Sequence, residues 1–237
     1  TQFKNWSIND VIGHLYLFNV AAIRTVDGAK SFDDFFMPFL KLLQKGQSMV
    51  QAQVPWLNGL SGYTLLNKWW NSCLELENLY SLVDPKLRVK WAGPEMSARS
   101  SITARQMETW SHGHEIFDRL GKKRVEGDHI KNIVHLGVST FSWTFKNRKL
   151  LVTDINPYVE LALPSGARIY YNENNEKEFV KGSATEFCQV VTQVRNIDDT
   201  SLTFFGKTST TWMKYAQCFA GKPEDPPKKG TRYTQSV

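Results

Sequence analysis

Apolar residues recur every three or four positions through the first half of the chain and at shorter, alternating intervals through the second. Ser7-Ile8-Asn9-Asp10 has the spacing of a capping box, with Asp in place of the usual Glu or Gln. It opens a segment in which Val11, Leu15, Phe18 and Ala22 fall on one helical face, broken at Asp27-Gly28. A second apolar segment runs from about Phe32 to Leu43, and Pro38 inside it predicts a kink or two short pieces. A third spans Tyr63 to Val83 and stops before Asp84-Pro85. A fourth starts near Ser97, after Gly93-Pro94, and ends at Leu120, with Gly121 as its C-terminal cap.

Beyond about Ile130 the pattern changes. Phe141–Lys146 alternates aromatic and polar residues. Val159–Leu163 and Arg168–Asn172 flank Pro164-Ser165-Gly166, the pattern of a hairpin. Glu178–Lys181 and Leu202–Phe205 are further short strands, and Ala184–Val194 and Thr210–Ala220 are helical. After Gly221 the apolar periodicity stops. The chain is therefore of the α+β class, with a helical region over 1–125, a smaller α+β region over 126–221 and an extended basic tail over 222–237.

Composition narrows the function classes. Of the 237 residues, 41% are hydrophobic and 22% charged, which excludes a disordered chain. No apolar run approaches the ~18 residues of a membrane span, and no secretory signal is present. The net charge is +6. The tail holds Lys222, Lys228, Lys229 and Arg232 against Glu224 and Asp225, so +2 of that charge belongs to the tail. The remaining bias is weak and argues against nucleic acid as a partner, which asks for a basic stripe. The densest internal cluster, Lys122-Lys123-Arg124, reads as a solvated helix end. Cys73, Cys188 and Cys218 are far apart and cannot all pair, which fits free thiols in a reducing cytoplasm.

Candidate chemistry sits on two of the helices. Glu108 and His112, four apart, share one helical face, so a carboxylate oxygen and an imidazole nitrogen can reach one metal ion. A surface pair is the commoner use of that spacing. Here small residues (Ser101, Ala104) lie beside the pair, and Met107, Trp110, Ile116 and Phe117 make the helix apolar elsewhere. His14, on the apolar side of the first helix, is the third candidate, against the alternative of a hydrogen-bonded core histidine. Two histidines and one carboxylate suit an open Zn site and equally Fe(II) or Ni. Glu115, one turn past His112, is a candidate proton carrier. Arg105 and Arg99 are candidates for holding an anionic substrate, with surface salt bridges as the alternative. His114 points roughly 200° away from His112 and is a polar packing residue.

These residues carry a family resemblance. Trp6 to Leu15, with His14, is similar to the Trp-to-His-Leu segment of the DinB-like metal-binding bundles, in particular the mycothiol-dependent maleylpyruvate isomerase type. Gly93-Pro94-Glu95-Met96-Ser97-Ala98-Arg99-Ser100 and Thr103-Ala104-Arg105-Gln106-Met107-Glu108-Thr109-Trp110-Ser111-His112-Gly113 resemble the motif of one subgroup. Its C-terminal half is similar to a region named for wyosine base formation. His135-Leu136-Gly137-Val138, Val191-Thr192-Gln193 with Arg195, and Ala216-Gln217 with Phe219-Ala220-Gly221 look like that half. In this family His114 stands where Gln or another polar residue is expected.

The resemblance implies a four-helix bundle with His14, Glu108 and His112 as ligands of a divalent metal (zinc first, then nickel or iron). It implies an enzyme of the thiol transferase or isomerase type, acting on a small organic acid or electrophile with a low-molecular-weight thiol. Glu115, Arg105 and Arg195 are then the candidate catalytic residues, Arg195 coming from the C-terminal region. The alternatives are a tRNA-modification-related protein and a non-catalytic metal or ligand carrier. A homodimer is the one oligomer considered. Bundles of this type carry a further helix ahead of the Trp-to-His-Leu segment, so a leading helix of roughly 20–30 residues is expected before Thr1, or Phe32–Leu43 takes its place.

Overall fold

A computed structural model describes residues 1–236. Its contacts divide the chain into two units, one built from Thr1 and Phe3–Thr109, the other from Gln2 and the residues from Trp110 onward.

In the first unit, Ser7 caps helix α1 (Ile8–Val26). Its Oγ accepts from the Asp10 amide at 3.0 Å, and the Ser7 amide donates to Asp10 Oδ2 at 2.9 Å, so the box closes with Asp as well as with Glu. Helix α2 (Ala29–Gln44) runs through Pro38 as one element, where a kink or two short pieces were expected. Pro38 and Asp34, whose carbonyl the proline leaves unpaired, are both exposed, so water satisfies the freed group. Helix α3 (Met49–Leu57) was not anticipated; it is short, holds Pro55 and starts from a second capping box of Ser48 and Gln51. Helix α4 covers Gly62–Leu82. The pair β1 (Arg88–Val89) and β2 (Met96–Ser97) leads into α5 (Ala98–Arg119).

The unit closes around Leu17, Ala21, Phe32, Phe36, Phe39 and Ala52, with Phe18, Trp56 and Trp91 packed against them. Tyr80 ties three helices together: its hydroxyl lies 3.0 Å from the Ala22 carbonyl and 3.1 Å from Ser101 Oγ.

The division between units falls inside α5. The last turns of that helix make their contacts with segments that follow them: Arg124 donates to the Trp110 carbonyl, and Arg195 pairs with Asp118. Gly121 ends α5 at φ +62°, a conformation that suits glycine.

The second unit is α+β. A short 3-10 turn at Asp128–Ile130 precedes helices α6 (Lys131–Ser139) and α7 (Phe141–Asn147). The alternation over Phe141–Lys146 is thus helical and not extended: Phe141, Thr144 and Phe145 are buried at helical spacing while Trp143 is exposed. Strands β3 (Tyr158–Ala162), β4 (Arg168–Tyr171), β5 (Phe179–Ser183) and β6 (Thr203–Phe205) form a sheet in the order β4-β3-β5-β6, with β3 and β5 parallel and the other pairs antiparallel. Helix α8 (Ala184–Val191) stops short of Val194, because Gln193 turns left-handed at φ +59°. Helix α9 (Lys207–Tyr215) starts earlier than expected and ends before Ala216; the Gln217 amide leaves the helix to meet Thr144 Oγ1 at 3.3 Å.

The tail is extended, as its composition suggests, but it is pinned along its length. Gln193 Nε2 donates to the Glu224 carbonyl at 2.7 Å, Asn196 Nδ2 to the Pro227 carbonyl at 2.7 Å, and Arg232 Nη1 to the Gln193 carbonyl at 2.8 Å. Amide side chains satisfy a backbone whose prolines cannot join a ladder.

Close helix packing explains one glycine. A Cβ at Gly137 on α6 would lie 2.9 Å from both Phe187 and Val191 of α8. Alanine there gains up to ~1 kcal/mol of helix propensity but costs about 1–3 kcal/mol in overpacking. Gly137→Ala is therefore expected to lower the melting temperature by a few degrees in a circular-dichroism melt.

Candidate metal centre

The capping box at Ser7 and Asp10 sets the start of α1, and His14 follows on its buried face. The His14 ring is held between Trp6 and Phe18, with ring centroids 5.4 Å and 4.5 Å away. Its Nε2 lies 3.8 Å from Oε2 of Glu108 on α5. His112 is one turn further along the same unbroken helix. One donor atom from each of His14, Glu108 and His112 falls within 4.8 Å of the other two.

This donor set fits a divalent metal. The 3.8 Å between His14 and Glu108 is too long for a hydrogen bond. Two donors each ~2.0–2.2 Å from one tetrahedral ion stand about 3.3–3.6 Å apart, so a shift of a few tenths of an ångström brings this pair to ligand spacing. Two neutral imidazoles and one carboxylate match first-row divalent metals generally. A metal held by three such donors would keep coordination room for an exogenous group.

Arg105, one turn before Glu108, is only 3% exposed. Its Nε and Nη2 donate to Asn19 Oδ1 at 3.2 Å and 3.1 Å, and Nη2 also donates to the Leu15 carbonyl at 3.4 Å. Its guanidinium carbon lies 5.8 Å from the centre of the Phe18 ring. Burial lowers its pKa, while the charges of Glu108 and of the neighbouring thiol and phenol oppose that shift. Among the described residues Arg105 makes no surface salt bridge; it is buried and braces α5 against α1. Asn19, its partner, was not singled out. An amide on the apolar side of α1 was the available signal, and that amide also donates to Ser72 Oγ at 3.0 Å and Cys73 Sγ at 3.4 Å.

Glu115 is buried one turn beyond His112. Burial raises its carboxyl from 4.5 to about 7, against the lowering effect of His112 and Arg232. Arg232 approaches Oε1 at 3.6 Å, and Oε2 accepts no hydrogen bond among the described residues. Arg232 lies in the tail, where no periodicity pointed to it. Arg195 does reach α5, but its Nη2 meets Asp118 Oδ1 at 2.7 Å, with Thr234 Oγ1 at 3.1 Å from the same oxygen. It is thus an ion-pair partner of Asp118. His114 points to the other side of α5 and meets Glu126 Oε1 at 3.2 Å; Trp110 Nε1 donates to the same carboxylate at 2.8 Å.

A carboxyl raised in the folded protein holds its proton more tightly there than in the unfolded chain. The cost of ionising Glu115 is absent below its unfolded pKa of 4.5 and grows as pH rises toward about 7. In the metal-free protein, Glu115→Gln should therefore gain stability relative to wild type between pH 5 and pH 8, by on the order of 2–4 kcal/mol. Urea unfolding at the two pH values reads it; a pH-independent difference would show that Glu115 is ionised throughout.

The family described as mycothiol maleylpyruvate isomerase N-terminal domain matches residues 1–117. The uncharacterised proteins Rv0036c and MT0041 of Mycobacterium tuberculosis, from strains ATCC 25618 / H37Rv and CDC 1551 / Oshkosh, are each 31% identical to this chain over 228 residues, covering 94% of it and 86% of their own length. No solved structure matches at a significant level. Among the described residues no helix is long and apolar enough to cross a membrane. With its helical N-terminal half, its α+β second half and these matches, the chain belongs to the DinB-like family of the mycothiol maleylpyruvate isomerase N-terminal domain.

Proposed function

We propose that this protein is a cytoplasmic, divalent-metal-dependent enzyme of the thiol transferase or isomerase type, acting on a small organic acid or electrophile. The observation that supports it best is the gathering of one donor atom each from His14, Glu108 and His112 within 4.8 Å of one another. A divalent ion held there would lower the pKa of a coordinated thiol or water and so supply a nucleophile at neutral pH. Zinc is the first choice, with nickel and iron suited to the same donors.

The chain's own groups have separable tasks in this reading. Trp6 and Phe18 hold the His14 ring in place and keep water from one side of it. Arg105 places a buried positive charge near the Glu108 carboxylate and sets the distance between α1 and α5. Glu115, with a carboxyl near neutrality, takes or returns a proton one turn from His112. Arg195 acts on the site only through Asp118 and the last turns of α5. The nucleophilic sulfur comes from an added small thiol, since Cys188 and Cys218 are buried and Cys73 is held against Asn19.

The test is a screen of the metal-loaded protein with low-molecular-weight thiols and small unsaturated acids or other electrophiles. The proposal expects turnover that requires the thiol and disappears in Glu108→Gln. Turnover without thiol would move the reading to metal-activated water. No turnover in any combination would leave a metal carrier.

A further inference from the structure

The second unit holds a cleft of about 270 Å³. Its apolar walls include Phe141 at the start of α7, Trp212 of α9 and Pro157 just before β3. Trp212 is only 1% exposed. Edge-to-face contacts with Phe141 and Phe187, at ring centroids 5.1 Å and 5.6 Å away, fix its ring. Its indole N–H nevertheless donates to nothing among the described residues. A buried indole normally finds an acceptor, so this donor asks for one that enters the cleft.

The rim supplies acceptors and no charge. Asn172, at the left-handed φ of +63° after β4, donates Nδ2 to the Pro157 carbonyl at 2.7 Å. That bond fixes the orientation of the amide and leaves Oδ1 to accept. Ser139 gives its hydroxyl hydrogen to the His135 carbonyl, so its oxygen can only accept from a ligand. Among the described residues no Asp, Glu, Lys, Arg or His lines the cleft. An ion would lose its hydration there without a counter-charge. A volume just under the ~300–1,000 Å³ of ordinary ligand sites limits the occupant to one or two rings.

We propose that this cleft binds an uncharged planar ring bearing a carboxamide or lactam. The ring lies against Phe141 and Pro157, its carbonyl oxygen accepts from Trp212 Nε1, and its N–H donates to Asn172 Oδ1 or Ser139 Oγ. A hydrocarbon ring would leave the indole N–H unpaired. A carboxylate would meet the Asn172 and Ser139 oxygens with no cation beside it. No residue of the metal centre takes part, and the test needs no metal.

Proton–nitrogen correlation spectra of the full chain, labelled with nitrogen-15, read the indole N–H groups of its eight tryptophans one by one. The signal missing in Trp212→Phe identifies Trp212. Benzamide is the probe, with an affinity in the low millimolar range expected for so small a ligand. It should move the Trp212 indole proton downfield and saturate by about 50 mM. Benzoate, of the same shape but charged, should bind at least about ten-fold more weakly. Ser142→Leu, at a half-buried position of α7 lining the cleft, fills it and should abolish the shift with an unchanged far-ultraviolet circular dichroism spectrum. A Trp212 signal unmoved by benzamide, benzoate binding as tightly as benzamide, or a shift that persists in Ser142→Leu would each overturn the proposal.

Discussion

Replacing His112 with alanine yields a folded protein that no longer holds a stoichiometric divalent metal. Alanine is the best helix former, so α5 persists. The site, however, is left with one imidazole and one carboxylate. Loss of groups that merely orient a ligand already costs ~10–100-fold in metal affinity, and loss of a ligand costs more. Glu108→Gln keeps the shape but removes the site's negative charge and is expected to lose the metal as well. Metal content by mass spectrometry after dialysis against a weak chelator reads both. Full occupancy in His112→Ala, with unchanged circular dichroism, would remove His112 from the site.

Arg105→Ala is expected to have the largest effect on stability. The substitution removes a buried side chain together with the donors to Asn19 Oδ1 and the Leu15 carbonyl. A buried acceptor left without its donor costs about 1–3 kcal/mol, and the cavity adds to it. A total of about 3 kcal/mol corresponds to a fall of roughly 6–12 °C in the melting temperature of a chain this size. Arg105→Lys should lose less, since an ammonium still reaches one acceptor but cannot fork. Differential scanning calorimetry of the two variants orders them. An unchanged melting temperature in Arg105→Ala would return the guanidinium to solvent, where it could meet a substrate.

Much of the helical half is legible in the sequence because its signals are local. The Ser7 box, the apolar spacing of Val11 to Ala22 and the glycine at 121 each follow from backbone geometry within a few residues. The pairing of Glu108 with His112 is legible for the same reason. What the chain hides is set by contacts between distant segments. Pro38 does not break α2, because the carbonyl it frees faces water. Phe141–Lys146 coils because Phe141 and Phe145 must both reach the core. In sequence Arg105 and Arg195 both read as candidate catalytic cations, and only the positions of Asn19 and Asp118 decide where their charges go. Arg232 sits in a segment without periodicity, and its approach to Glu115 depends on the hydrogen bonds that pin the tail.

The account rests on a metal held by His14, Glu108 and His112. X-ray absorption at the metal edge of the purified protein, with no thiol added, tests this most directly. The predicted spectrum has nitrogen and oxygen neighbours at ~2.0–2.2 Å and the outer-shell scattering of two imidazole rings. Sulfur neighbours at ~2.3 Å, or a first shell without imidazole, would contradict it.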